Sequence, residues 1–192
     1  MLLCITNRKL CKDDFLDRIN QIAKGKPHGI ILREKDLSLA EYEELAIKIK
    51  EICDLNKVTL IINQNIEVAL KLKIPNIQLS LSCLRTYKNE LHQFDHIGAS
   101  IHSVSEAKEA QALGASYLIA GHIFPTDCKK GVLPRGLLFL EEVCDAVTIP
   151  VFAIGGITKD KIKQVASVGA KGACVMSACM TCLNPVEFIS NF

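Results

Sequence analysis

No charge of one sign dominates this sequence: 23 lysines and arginines face 21 aspartates and glutamates, for a formal net charge of +2. That balance excludes the long basic surface of a nucleic-acid binder and the polybasic face of a membrane-surface protein. Long apolar runs are also missing, since none approaches the roughly 18 residues a bilayer span requires. A secretory leader is not expected, because Met1–Thr6 carries no basic start and runs straight into Asn7-Arg8-Lys9. Nor is there a second cysteine pair to complete a metal site. The nine cysteines (4, 11, 53, 83, 128, 144, 174, 179 and 182) are odd in number and scattered, and only Cys179-Met-Thr-Cys182 has CxxC spacing. Structural zinc needs four ligands. The thiols are therefore expected to be reduced and mostly buried as small hydrophobes, with no disulfide framework.

The 192 residues are 49% hydrophobic and 23% charged. This is ordinary globular composition, and enough chain to bury roughly 70% of its unfolded surface. A soluble, cytoplasmic protein with one domain over residues 1–192 is expected. Eight short apolar runs recur: 2–5, 29–32, 58–62, 76–79, 97–101, 117–120, 151–154 and 173–176. Uninterrupted runs of this length suit parallel strands covered on both faces.

Helical patterns lie between the runs. In 40–53, Tyr42, Leu45, Ala46, Ile49, Ile52 and Cys53 recur three or four apart, and Ser38 with Glu41 forms a capping-box pattern. Ser103 and Glu106 open a second helix that stops at Gly114, and 158–168 repeats the design up to Gly169. Strands alternating with helices predict an α/β fold, a single (β/α)₈ TIM barrel, with a doubly wound open sheet as the rival.

Barrel chemistry sits on the loops after the strands, and that rule sorts the polar residues. His28 and His96 precede strands, and His92 lies near a helix end. His102 and His122 follow strands five and six. Arg33, Lys35, Lys129 and Lys130 read either as solvated loop charge or as a cationic rim for an anion. Gly155-Gly156 after strand seven and Ser177-Ala178 after strand eight stand where barrels commonly hold phosphate on backbone N–H groups. Together these features suggest a small phosphorylated ligand.

Leu32-Arg-Glu-Lys35, Ile62-Asn63, Gly98-Ala-Ser-Ile-His102, the stretch from Gly121 to Gly131, Ala153-Ile-Gly-Gly156 and Val175-Met-Ser-Ala178 resemble the thiamin phosphate synthase superfamily. The resemblance runs from about Leu2 to Phe188. It implies a barrel working on thiazole phosphate chemistry in thiamin biosynthesis.

Two branches of that superfamily differ at identifiable positions. The synthase joins a pyrimidine pyrophosphate to a thiazole phosphate, and its pyrophosphate is held by magnesium on two aspartates. Here Gln64 and Cys83 stand at those positions, and a neutral amide and a thiol are poor ligands for a hard cation. Ile31 replaces the glutamine that precedes the Leu-Arg-Glu-Lys run. Where synthases carry proline, Gly121-His122-Ile-Phe124 resembles the TenI-type thiazole tautomerase, and histidine can move a proton where proline cannot.

On the tautomerase reading the enzyme is an isomerase that aromatises a carboxythiazole phosphate, with His122 as acid–base and neither metal nor cofactor. Gly155, Gly156, Ser177 and Ala178 would hold phosphate, while Arg33, Lys35 and Lys130 neutralise phosphate or carboxylate. Ser100 and Thr126 match ligand-contacting family positions, Asn63 binds ligand or ties down a loop, and His102 lines the pocket. The alternatives are a thiamin phosphate synthase with an unusual metal site and a non-catalytic binder of thiazole or thiamin phosphates. No nucleic-acid or membrane partner is expected, and pairing of copies through the outer helices is left open.

Overall fold

A computed structural model describes residues 1–192. It opens with β1 (Leu2–Ile5), α1 (Phe15–Lys24), β2 (Gly29–Leu32), α2 (Leu39–Asn56), β3 (Thr59–Asn63) and α3 (Ile66–Lys71). Next come β4 (Asn76–Ser80), α4 (Leu81–Thr86), β5 (His96–Ile101), α5 (Val104–Ala112), β6 (Tyr117–Gly121) and α6 (Gly136–Ala146). The chain ends with β7 (Val151–Ile154), α7 (Ile162–Ser167), β8 (Gly172–Val175), α8 (Ser177–Thr181) and α9 (Pro185–Ser190). The strands close into a barrel in chain order, β1 to β8, so the expected (β/α)₈ architecture is the one observed. No helix is long and apolar enough to cross a membrane.

Two compact units divide the chain, residues 1–77 with 175–192 and residues 78–174. In the first, every residue of β1 and β2 is buried, and the parallel ladder sets Leu3 against Gly29 and Ile5 against Ile31. β3 continues it, with Leu32 opposite Ile62. In the second unit, β5, β6 and β7 pair in the same sense, with Ser100 opposite Ile119 and Ala120 opposite Ala153. Strands buried on both faces need apolar side chains in both directions, which is why these runs show no alternation.

The helices follow their caps. The Ser38 hydroxyl accepts from the Glu41 N–H while the Glu41 carboxylate takes the Ser38 N–H, the reciprocal box expected from the spacing. α2 continues to Asn56, three residues past the apolar pattern, and ends where Lys57 turns left-handed at φ 55°. Its core face carries Tyr42, Ala46, Ile49 and Cys53. Ser103 likewise caps α5.

The helix expected over 158–168 differs. Thr158 makes no side-chain cap, so the first turn tightens into a 3₁₀ helix at Lys159–Lys161 and α7 begins at Ile162. His96, expected ahead of its strand, is the first residue of β5. The nine cysteines form no disulfide, and Cys4, Cys53, Cys174 and Cys179 are buried. Burial, with the neighbouring Asp54 charge adding to it, pushes the Cys53 thiol up to about 12.

Tyr42 ties helix to strand. Its buried hydroxyl donates to the Leu32 carbonyl and accepts from the Asn63 N–H at 3.3 Å. Tyr42→Phe strips both backbone groups of their partner. It should cost about 1–3 kcal/mol in urea unfolding with an unchanged m-value.

Candidate functional site

The segments after β1 and β2 bring together a cluster of charges, Arg8 and Lys9 from the first and residues 33–36 from the second. Arg33-Glu34-Lys35-Asp36 follow β2 with alternating sign. Glu34 is 4% exposed. Its carboxylate accepts from the Thr6 hydroxyl at 2.8 Å, the Arg8 N–H at 3.0 Å and the Arg8 guanidinium at 3.2 Å. The same guanidinium forks onto Asp36 at 2.7 and 2.8 Å, and Lys9 reaches Asp36 at 2.9 Å. Thr6 also accepts the Arg33 N–H at 2.9 Å, which fixes the backbone where β2 ends. The side chains of Arg33 and Lys35 form no ion pair.

An open pocket of about 250 Å³ lies here, lined by Glu34, Lys35, Tyr42, Asn63, Gln64 and Asn65. It brings together Lys35 and Asn63 of the expected residues; half-buried Arg33 is adjacent in sequence but does not line it. Gln64 sits at φ 66°, a left-handed conformation costly for a long side chain. Ser177 and Ala178, expected at a phosphate, open α8 and are half-buried.

Sequence reasoning passed over three of these groups. In the sequence Thr6 and Arg8 stand only in the opening stretch that shows no leader, and Glu34 only inside the Leu-Arg-Glu-Lys motif. The four alternating charges were the available signal. Tyr42 belongs to the helix core, as its spacing predicts, and it also lines the pocket.

In the second unit, Ser100 lies in β5 and His122 directly follows β6. Ser100 Oγ accepts from the Gln78 side chain at 3.0 Å. That layer is crowded: a Cβ on Gly98 would run into Gln78 and Tyr117. His102 is exposed, with Nδ1 3.5 Å from the Glu106 carboxylate, which also accepts the His102 N–H at 2.6 Å. His122 is 5% exposed, and its Nε2–H donates to the Val132 carbonyl at 3.3 Å. The Arg135 N–H returns to the His122 carbonyl at 2.9 Å, closing the 122–135 loop on itself. Thr126 accepts from the Cys128 N–H at 3.4 Å, and exposed Lys130 stands 3.8 Å from Asp127.

Gly155 and Gly156 have φ of 97° and 64°. The 123–124 backbone bonds to the Ile154 and Gly155 carbonyls, and Lys161 donates to the Gly156 carbonyl at 2.9 Å while stacking on Phe124. A Cβ on Gly156 would meet the Pro125 carbonyl and Phe124, whereas one on Gly114 (φ 97°) meets nothing.

The family resemblance implies magnesium, and the donors present do not fit that ion. Gln64 and Cys83 offer an amide and a thiol, Glu34 and Asp36 are already bound to arginine, and no group of three or more His, Cys, Asp or Glu is placed to hold a metal.

Two measurements test this geometry. Gly156→Ala should lower the melting temperature clearly more than Gly114→Ala, whose cost is the left-handed backbone alone, about 1 kcal/mol. Arg8 and Lys9 hold the Asp36 carboxyl far below its ordinary value of 3.8. A depressed carboxylate stabilises the fold above that value and loses the contribution as pH falls. In urea midpoints against pH, the gap between wild type and Asp36→Asn should therefore close as pH drops below 3.8.

Residues 2–179 match the family described as thiamine monophosphate synthase. The chain is 33% identical over 186 residues to the thiamine-phosphate synthase of Methanobrevibacter smithii, covering 96% of this chain and 89% of the relative. It is 37% identical over 181 residues to that of Clostridium botulinum strain Kyoto, covering 92% and 88%. A solved thiamine phosphate pyrophosphorylase from Pyrococcus furiosus superposes with a TM-score of 0.88 at 30% identity, covering 99% of this chain and 92% of that one.

These relatives overturn the tautomerase expectation and its isomerase class. His122, Gln64 and Cys83 are local departures in a chain whose likeness to proteins named as synthases extends over almost its whole length. By this full-length match the chain belongs to the thiamine monophosphate synthase family.

Proposed function

We propose that this chain is a transferase that joins a pyrimidine bearing a methylene pyrophosphate to a thiazole phosphate, releasing inorganic pyrophosphate. The observation that carries the reading is the pocket at the ends of β2 and β3, where Lys35 is unpaired beside amide side chains, in a chain 33% identical to a named thiamine-phosphate synthase. In the reaction the thiazole nitrogen attacks the methylene carbon. The carbon–oxygen bond breaks, and its electron pair leaves with pyrophosphate. Negative charge grows on the departing bridge oxygen, so fixed cations there lower the barrier.

Lys35 and Arg33 are assigned to that charge, and Asn63 to an oxygen of the same group. Gly155, Gly156, Ser177 and Ala178 are assigned to the thiazole phosphate, with Ser100, Thr126, Lys130 and His102 as further ligand contacts. His122 is assigned to holding the 122–135 loop through Val132, a role that needs no proton transfer. Magnesium is given no part, on the chemistry of Gln64 and Cys83.

The test supplies purified protein with both substrates and measures thiamin phosphate and released pyrophosphate. Lys35→Ala should lower kcat/KM for the pyrophosphate substrate by about 10- to 100-fold, the worth of one hydrogen bond to a charged group. Chelation by EDTA should leave the wild-type rate within about twofold. No product above the blank, with or without magnesium, would end the synthase reading.

A further inference from the structure

Four consecutive charges of alternating sign follow β2, yet the two acids and the two bases are treated differently. Glu34 and Asp36 both turn to the segment after β1, where one guanidinium serves them. Arg8 Nη1 lies 3.2 Å from Glu34 Oε2 and 2.7 Å from Asp36 Oδ1, and Nη2 lies 2.8 Å from Asp36 Oδ2. Lys9 adds a second cation on Asp36 at 2.9 Å. Arg33 and Lys35 are left out of every ion pair. The segregation matters because Glu34 and Lys35 line the same pocket. A Glu34 carboxylate without Arg8 would repel a phosphate oxygen there and compete for Lys35, in a partly buried setting where such terms are strong. Only a planar fork bonds two carboxylates at once in fixed directions, and lysine lacks it.

We propose that Arg8 is a positioning residue for this pocket: by neutralising Glu34 and Asp36 it leaves Lys35 free to bind a pyrophosphoryl group without a divalent cation. The proposal rests on the pyrophosphate-releasing reading above and adds to it a residue outside the pocket lining.

The probe is inorganic pyrophosphate, titrated by calorimetry in EDTA, with thermal unfolding of each variant alongside. Wild type should bind, and both Lys35→Ala and Arg8→Ala should weaken binding at least about tenfold. Combining the two should add little to either alone. In the Arg8→Ala background, adding Glu34→Gln and Asp36→Asn should restore affinity to within about threefold of wild type, because the repelling charges are gone. A structural role for Arg8 would not be rescued that way. Arg8→Lys should recover only part of the loss. Should Arg8→Ala fail to fold, Glu34→Gln with Asp36→Asn on intact Arg8 decides, since it should bind at least as tightly as wild type.

Wild-type affinity in Arg8→Ala, a triple variant as weak as Arg8→Ala, or weakened binding in the double variant would each overturn the proposal. So would a wild type that does not bind pyrophosphate in EDTA. Product formation in the condensation assay judges the synthase reading separately, so the two can fail independently.

Discussion

A strand buried on both faces can offer chemistry only at its ends, and this chain is arranged around that constraint. β1 and β2 are buried along their whole length, so functional polarity begins where they stop, at Thr6 and Arg33. The Thr6 hydroxyl stands at that border. It accepts the Arg33 N–H on one side and donates a hydrogen bond to the Glu34 carboxylate on the other, so the first polar residues after two strands are fixed together. The left-handed turn at Gln64 and the Tyr42 hydroxyl do comparable work at the end of β3.

Electrostatics at this end is a matter of sorting rather than of net charge. The whole chain carries +2, which says nothing about anion binding. What matters is that Glu34 and Asp36 are paired by Arg8 and Lys9 while Arg33 and Lys35 are not. The exposed Arg8–Asp36 fork adds little to stability by itself, as surface pairs seldom do. The Glu34 contacts are different: a buried carboxylate that loses its cation is expensive, so this frame resists drift at the position where an anion is proposed to sit.

Local motifs and whole-chain similarity pointed in different directions. His122 in place of proline and two missing carboxylates suggested proton chemistry, because those residue types are what such chemistry needs. Likeness over more than nine-tenths of the chain to thiamine-phosphate synthases outweighs them. In the structure His122 is buried and bonded to Val132, a loop-holding contact that any neutral imidazole can make. A reactive residue type is not by itself a reaction.

From its own pattern the chain determined the eight strands, the Ser38–Glu41 box, the stops at Gly114 and Gly169 and the buried thiols, because each depends on neighbours within a few positions. β1, β2 and β7 match to the residue. The 3₁₀ opening of α7 was not legible, since it turned on a cap that Thr158 has the chemistry to make and does not. Nor was the partner of any charge after β2. Arg8 and Glu34 lie 26 residues apart, and nothing short of the β1–β2 register sets one against the other. Tertiary structure alone decided that Glu34 and Asp36 face arginine and that Lys35 does not, because pairing between strand ends depends on which strands are neighbours, which local spacing does not encode.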